Sequence, residues 1–399
     1  MSETQQAAMT LRHLNITIIG AGIGGLAAAL VLRRKGAQVT VLEQSEAISE
    51  VGAGLQVTPN GVAVLTALEL NDALAWSSQR AKAVVLRSHH QGHEVLRLDL
   101  DQYAADLRYY FVHRADLIKI LADAAREAGV QVRLLQKVER VECGPKPMVH
   151  LANGAQCGGD LVIGADGLHS KARRALNEAS QPFFTRQVAW RAIVPNNSKL
   201  PAEAQVFMGP GRHLVAYPLR DGSMVNLVAA QERRAWAEEG WHLPDDPENM
   251  RGAFAGFGGE AHQLLAQVQD CALWGLFRHP VAHHWHRGAV ALLGDAAHPT
   301  LPFMAQGGNL ALEDAWVLGE ALEAQPNDVP AALARYQGLR RERAARVVDA
   351  ASRNAWKYHL RPPLNWPAHQ LLKLGGHLAP QRMVSQFDWI YRHDVTRQN

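Results

Sequence analysis

Residues 14–43, "LNITIIGAGIGGLAAALVLRRKGAQVTVLE", limit the possible folds more than any other stretch. An apolar strand pattern runs into a glycine turn, then a helix pattern rich in alanine and leucine, then a second alternating strand. The periodicities predict a strand over 14–19, a helix over 24–35 and a strand over 38–43, which together form a βαβ unit. Gly20, Gly22 and Gly25 give the spacing G-x-G-x-x-G, and Glu43 ends the second strand 23 residues after Gly20. Glycines at this spacing let the backbone approach a pyrophosphate at a helix N-terminus, and an acid at this distance suits an adenosine ribose. An acid there, instead of an arginine, argues against a 2′-phosphate.

The apolar run 16–32 approaches the length of a membrane helix. Its turn-spaced glycines and the strand that follows at once argue against a span, so no membrane segment and a cytoplasmic location are expected. A formal charge of +3 in 399 residues gives no case for nucleic acid as a partner. Cys143, Cys157 and Cys271 are odd in number and far apart, which suits a reducing compartment rather than a disulfide framework. The histidines of "HPVAHHWH" (279–286) lack the i, i+4 spacing and nearby acid of a metal site, so none is expected.

Further along, residues 1–12 are expected to fray, 58–76 to be helical and 82–100 to form a hairpin. "HRADLIKILADAAREAGV" predicts an amphipathic helix ended by Gly129. Short alternating strands across 183–231 predict an antiparallel sheet in a second domain, followed by polar, Trp-bearing helical segments over 232–270. Strand returns at "GAVALLGD", and a helix of nearly thirty residues follows Pro330, with its "RRER" expected on a solvated face.

The βαβ unit, "DLVIGADGLHSKARRAL" (160–176) and "LLGDAAHP" (292–299) occur in that order, two of them placing Gly and Asp at a strand end. With these three motifs the chain resembles the flavoprotein aromatic hydroxylases, the single-component FAD monooxygenases, over almost its whole length. "EVGAGLQVTPNG" (50–61), "HRADL" (113–117) and "GPGRHLVAYPLRDG" (209–222) extend the likeness. Within the family the chain is most similar to the salicylate, 3-hydroxybenzoate and 6-hydroxynicotinate hydroxylases. The resemblance implies an α/β fold: a Rossmann-like FAD-binding domain, an interleaved antiparallel β-sheet substrate domain and a C-terminal helical segment. The expected boundaries assign 1–80, 113–182 and 286–325 to FAD binding, 81–112 and 183–285 to the substrate domain, and 326–399 to the helical region.

The implied chemistry uses NAD(P)H to reduce FAD, with O2 then forming a flavin hydroperoxide that hydroxylates a small aromatic or N-heteroaromatic hydroxy acid. Asp295 is expected at the ribityl or pyrophosphate part of FAD, and the backbone at Gly307, Gly308 and Asn309 at the isoalloxazine, where helix amides stabilise negative charge. Gly54 belongs to the same cofactor set. Arg114 matches a FAD-contacting arginine, or else pairs with Asp116 or Asp101. Asp166 matches an acid implicated in FAD and pyridine-nucleotide binding, or else caps a turn or helix.

On the substrate side His213 is the candidate base for a ring hydroxyl, because a neutral imidazole can take a phenol proton near pH 7. Tyr217 shares its strand face and is a candidate for orienting substrate. Gln306 is expected to hydrogen-bond substrate or flavin, while His298 is read as structural. Arg191 and Arg212 could meet a substrate carboxylate or serve as structural charges. Expected partners are therefore a small aromatic, O2 and NAD(P)H, in a monomer or homodimer. A flavin-dependent reductase or dehydrogenase that does not use oxygen, and a non-catalytic dinucleotide-binding module, are the alternatives on the same fold.

Overall fold

The computed structural model describes residues 10–48, 53–179, 181–233 and 243–397, except the side chains of 354–356. Residues 1–9 of the expected frayed terminus, 50–52 of "EVGAGLQVTPNG" and 234–242 of the expected helical segment lie outside the described residues.

Strand β1 (Asn15–Ile19) leads into helix α1 (Ile23–Arg34), and β2 (Gln38–Leu42) returns parallel to β1 with Ile18 opposite Val41. Helix α1 is buried from Leu26 to Leu32. It packs on α2 (Arg114–Glu127), whose apolar face buries Leu117, Ile118 and Leu121. The sheet is completed on the other side of β1 by β3 (Leu161–Gly164) and β4 (Val290–Leu292), both parallel. Its six strands thus come from residues 15–42, 131–164 and 286–292. Continuous burial of β3 and β4 follows from helices covering both sheet faces.

Helix α3 (Gly307–Ala324) lies against α1. The two approach so closely that a Cβ at Gly319 would stand 2.3 Å from Val31 Cγ1. Helix α4 (Val329–Tyr358) packs on α3 and is followed by three shorter helices, Asn365–Leu378, Pro380–Ser385 and Asp388–Tyr391.

A second sheet of eight strands runs Leu243–Asp245, Cys271–Arg278, Phe183–Pro195, Met224–Glu232, Arg212–Leu219, Glu203–Gly209, Ala83–Ser88 and Glu94–Asp99. It departs from the antiparallel expectation at one place, where Glu203–Gly209 pairs parallel with Ala83–Ser88. The 83–99 hairpin arrives from far upstream, so no tight turn dictates its direction. A three-stranded sheet of Gly54–Val57, Tyr110–His113 and Ser78–Arg80 stands between the two large ones.

Two helical expectations change. The 58–76 segment is two helices, Pro59–Ala67 and Asn71–Trp76, parted at Glu69 with φ 56°. In "RRER", Arg341 and Glu342 are exposed, but Arg340 is buried and Arg343 nearly so. Arg340 and Arg343 are three apart and share the face of α4 that turns toward α3.

Candidate active site

A cavity of about 890 Å³ is lined from both large sheets. Gly20, Gly22, Glu43, Arg114 and Asp166 line it from the first, and Arg191, His213 and Tyr217 from the second, with Asp295, Gly307 and Gly308 also in its wall.

The glycine loop owes its form to close backbone approach. Gly20 has φ 101°, and a Cβ there would stand 2.5 Å from the Ala165 carbonyl oxygen. A Cβ at Gly25 would meet the Gly20 carbonyl oxygen at 2.0 Å, which locks helix to strand but leaves Gly25 outside the cavity wall. Gly22 differs: nothing lies within 4 Å of its Cβ position. It is the N-cap of α1, with no side-chain cap and no acid in the first turn. The orphan amides and the positive end of the helix dipole are therefore available to an anion in the cavity.

Glu43 braces this loop. Its Oε2 accepts from Ala21 N at 2.8 Å and its Oε1 from Ser45 N at 2.9 Å. Asp166 caps helix Lys171–Leu176, accepting from Ser170 Oγ at 2.5 Å, Lys171 N at 2.6 Å and Ala172 N at 3.2 Å, while still lining the cavity. Burial raises its pKa against those hydrogen bonds. Asp116 and Asp101, the alternative partners for Arg114, pair with Arg220 and Arg80 at 3.2 Å. Arg114 lines the cavity close enough to Asp295 to oppose the rise that burial causes in that carboxyl's pKa.

Past β4 the chain turns through Gly294 (φ 62°) and Asp295, whose carboxylate accepts no hydrogen bond from the described residues. Helix α3 then opens at Gly307 with no side-chain cap and no acid in its first turn, a second set of orphan amides. Asn309 holds that opening in place. Its buried side chain accepts from Thr58 N at 3.0 Å and donates to Gln56 O at 3.0 Å and Ala305 O at 2.7 Å, so the side chain braces the wall from behind. Gln306 lies in the cavity wall with its amide held by protein partners: its Oε1 accepts from Asn60 at 3.0 Å and its Nε2 donates to Thr58 Oγ1 at 3.0 Å.

Sequence reasoning missed the charged cluster behind this wall. Arg340 pairs with Glu313 and Asp314, each at 2.7 Å, and Arg343 meets Glu313 at 2.7 Å. His298 Nε2 lies 2.5 Å from Asp314 Oδ2, which also accepts from Gly294 N at 3.1 Å, and the imidazole is fully buried behind the cavity wall. Asn60 donates to Glu313 Oε1 at 2.6 Å. The signal was "LALEDA", two adjacent acids inside an apolar helix, which demand buried cations.

On the second sheet His213 is buried, with its Nδ1 2.7 Å from His359 Nε2 and the Phe303 ring 5.6 Å away. Burial first, then His359, holds its pKa well below the ordinary value, so the ring is neutral at pH 7. Tyr217 is buried with its ring 5.0 Å from that of Phe111, and burial raises its pKa. Gly54 joins the two halves: its N–H donates to Asn226 Oδ1 at 2.7 Å, and a Cβ there would be 2.7 Å from both Asn226 and Tyr217. Arg191 lines the cavity with its guanidinium 4.5 Å above the Trp274 ring. Arg212 donates to the Ala253 carbonyl and stands outside the cavity wall.

Two uncapped helix N-termini, an open glycine cradle and the Asp295 carboxylate line one cavity, a set of donors and acceptors that fits a dinucleotide carrying a ring to be kept dry. A family described as "FAD binding domain" matches residues 13–351. The chain is 36% identical to 3-amino-4-hydroxybenzoate 2-monooxygenase of Streptomyces cremeus, over 88% of this chain and 89% of that one. It is 33% identical to 3-hydroxybenzoate 6-hydroxylase of Polaromonas naphthalenivorans, over 96% of each. The crystal structure of Klebsiella pneumoniae HpxO complexed with FAD and uric acid superposes with a TM-score of 0.83 at 27% identity, covering 94% of this chain and 97% of that one. The chain belongs to the FAD-dependent aromatic monooxygenases.

Proposed function

We propose that the enzyme hydroxylates a small aromatic ring bearing a hydroxyl and a carboxylate, with His213 as base and Arg191 as carboxylate partner. The observation that carries this reading is the placement of His213, Tyr217 and Arg191 on one wall of the cavity shared with the cofactor residues. Glu43 would take the adenosine ribose, and Gly20, Gly22 and the α1 amides the pyrophosphate. Asp295 would hold the ribityl chain, with Arg114 nearby, and the Gly307 and Gly308 amides would face the pyrimidine side of the isoalloxazine. Bound FAD, reduced by NAD(P)H, supplies the activation of O2.

The protein's own work is positioning, proton handling and exclusion of water. Neutral His213 accepts the ring hydroxyl's proton and so raises electron density on the ring. Tyr217, kept protonated by burial, orients substrate rather than titrating. Leu301, Phe303 and Tyr391 supply apolar wall. Relatives named for 3-amino-4-hydroxybenzoate, 3-hydroxybenzoate and 6-hydroxynicotinate support a ring with both substituents.

The test is an oxygen-electrode screen of FAD-loaded enzyme with NADH and with NADPH against hydroxybenzoates and hydroxynicotinates. Oxygen uptake should rise only with rings carrying both groups, and Arg191→Gln should raise KM for the acids more than for the matching amides. Equal stimulation by rings lacking the carboxylate would refute the assigned class.

A further inference from the structure

We infer that His359 is a positioning residue that fixes His213 as a base and, with Glu232, carries the substrate's proton from the buried chamber to solvent. This rests on the proposed function, because it needs a phenolic hydroxyl at His213.

His213 and His359 are both buried, and their rings meet through Nδ1 and Nε2 at 2.7 Å. On its other edge His359 Nδ1 lies 3.2 Å from Glu232 Oε1. Glu232 in turn holds Arg361 at 2.7 Å, where the guanidinium side chain is 67% exposed. The row thus begins in the cavity wall and ends in water.

Hydrogen-bond logic assigns every tautomer along it. A carboxylate only accepts, so His359 must carry its proton on Nδ1. Its Nε2 is then a lone pair, which forces the proton of His213 onto Nδ1. The Nε2 of His213, which bonds no described residue, is left as a lone pair on the cavity side. The resting state is a base by construction, set from the far end of the row.

The loop has the shape this row requires. Gly211 has φ 68°, donates its N–H to the His359 carbonyl at 3.1 Å and accepts from Glu232 N at 2.8 Å. A Cβ there would stand 2.9 Å from Arg361 Nη2 and 3.3 Å from Glu232 Oε2, so a side chain would push into the outer pair. Other groups facing the row are Tyr358, whose ring is 5.2 Å from His213, and the Arg361 and Arg212 charges; burial first, then these charges, oppose protonation of His359, while Glu232 favours it.

The transfer balances. The substrate O–H breaks as His213 Nε2–H forms; His213 Nδ1–H breaks as His359 Nε2–H forms; His359 Nδ1–H breaks and its proton reaches Glu232 and water. When the product oxygen is reprotonated the same steps run backward, and the original tautomers return.

The experiment mixes FAD-loaded enzyme with hydroxynitrobenzoates, whose phenolate absorbs visible light, in a stopped-flow instrument across pH. Wild type should ionise the bound phenol rapidly. His359→Gln, whose amide can hold His213 but cannot relay a proton, should keep full flavin content and ionise the phenol at least about tenfold more slowly. Free imidazole should restore the rate in His359→Ala, and Glu232→Gln should shift the pH dependence. Wild-type rate and pH profile in His359→Gln would overturn the relay and leave the proposed function standing. A wild-type enzyme that binds the probes only as neutral phenols would overturn the relay and the base role of His213 together. Loss of substrate-stimulated oxygen uptake in wild type is the separate result that would sink the functional reading.

Discussion

Arg340 Nε donates to Asp314 Oδ1 across 2.7 Å, tying α4 to α3 where neither side chain reaches solvent. Arg340→Met should therefore lower stability by about 3–5 kcal/mol, because it removes the buried cation shared by two buried carboxylates. Urea unfolding of the flavin-free protein measures this; a loss under about 1 kcal/mol would show that the pair is dispensable.

The same pair predicts acid sensitivity. Burial alone would raise the Asp314 pKa, but His298 and Arg340 outweigh it and bring it down to about 2. A carboxyl depressed in the folded state contributes stability that is complete above its unfolded value, about 4, and is lost as pH falls toward 2. Glu313, held down against burial by Arg340 and Arg343, adds in the same direction. Stability should fall over that window in wild type and less steeply in Asp314→Asn, as read by chemical denaturation at stepped pH.

Gly20 and Gly22 should separate folding from cofactor binding. A Cβ at Gly20 meets the Ala165 carbonyl and sits at φ 101°, so Gly20→Ala should destabilise the flavin-free protein by about 1–3 kcal/mol. Gly22→Ala meets no protein atom and should leave that stability within about 0.5 kcal/mol while weakening FAD at least about tenfold. Asp295→Ala should also shed flavin, visible as a falling flavin-to-protein ratio on gel filtration. Retained flavin in both variants would displace the cofactor from this cradle.

These elements differ in how far they could be read before the structure. The βαβ unit, α2 and the Gly–Asp strand ends are local patterns, and periodicity with turn chemistry is enough to place them. The buried partners of Gln306 and the burial within "RRER" escaped because those partners lie some 250 and 30 residues away, Thr58 with Asn60 and Glu313 with Asp314. His359 was invisible for the same reason, since it lies 146 residues from the His213 it meets. Local composition cannot report which faces of distant elements meet. The parallel pairing of the 83–99 hairpin escaped because no short connection fixes its direction.

His213→Ala should slow hydroxylation by about 10²–10⁴ while leaving FAD content unchanged. Because burial and His359 keep the imidazole neutral well below its ordinary pKa, the acid limb of wild-type activity should lie below pH 6.5. Unchanged rate and coupling in the variant would remove His213 from the chemistry.

The most direct test of the whole account is turnover of FAD-loaded enzyme with NAD(P)H, a hydroxybenzoate or hydroxynicotinate and heavy-oxygen-labelled dioxygen, with the product weighed by mass spectrometry. The account predicts one labelled oxygen in the ring product for each NAD(P)H consumed. Unlabelled product, or equal turnover without oxygen in the presence of an electron acceptor, would contradict it.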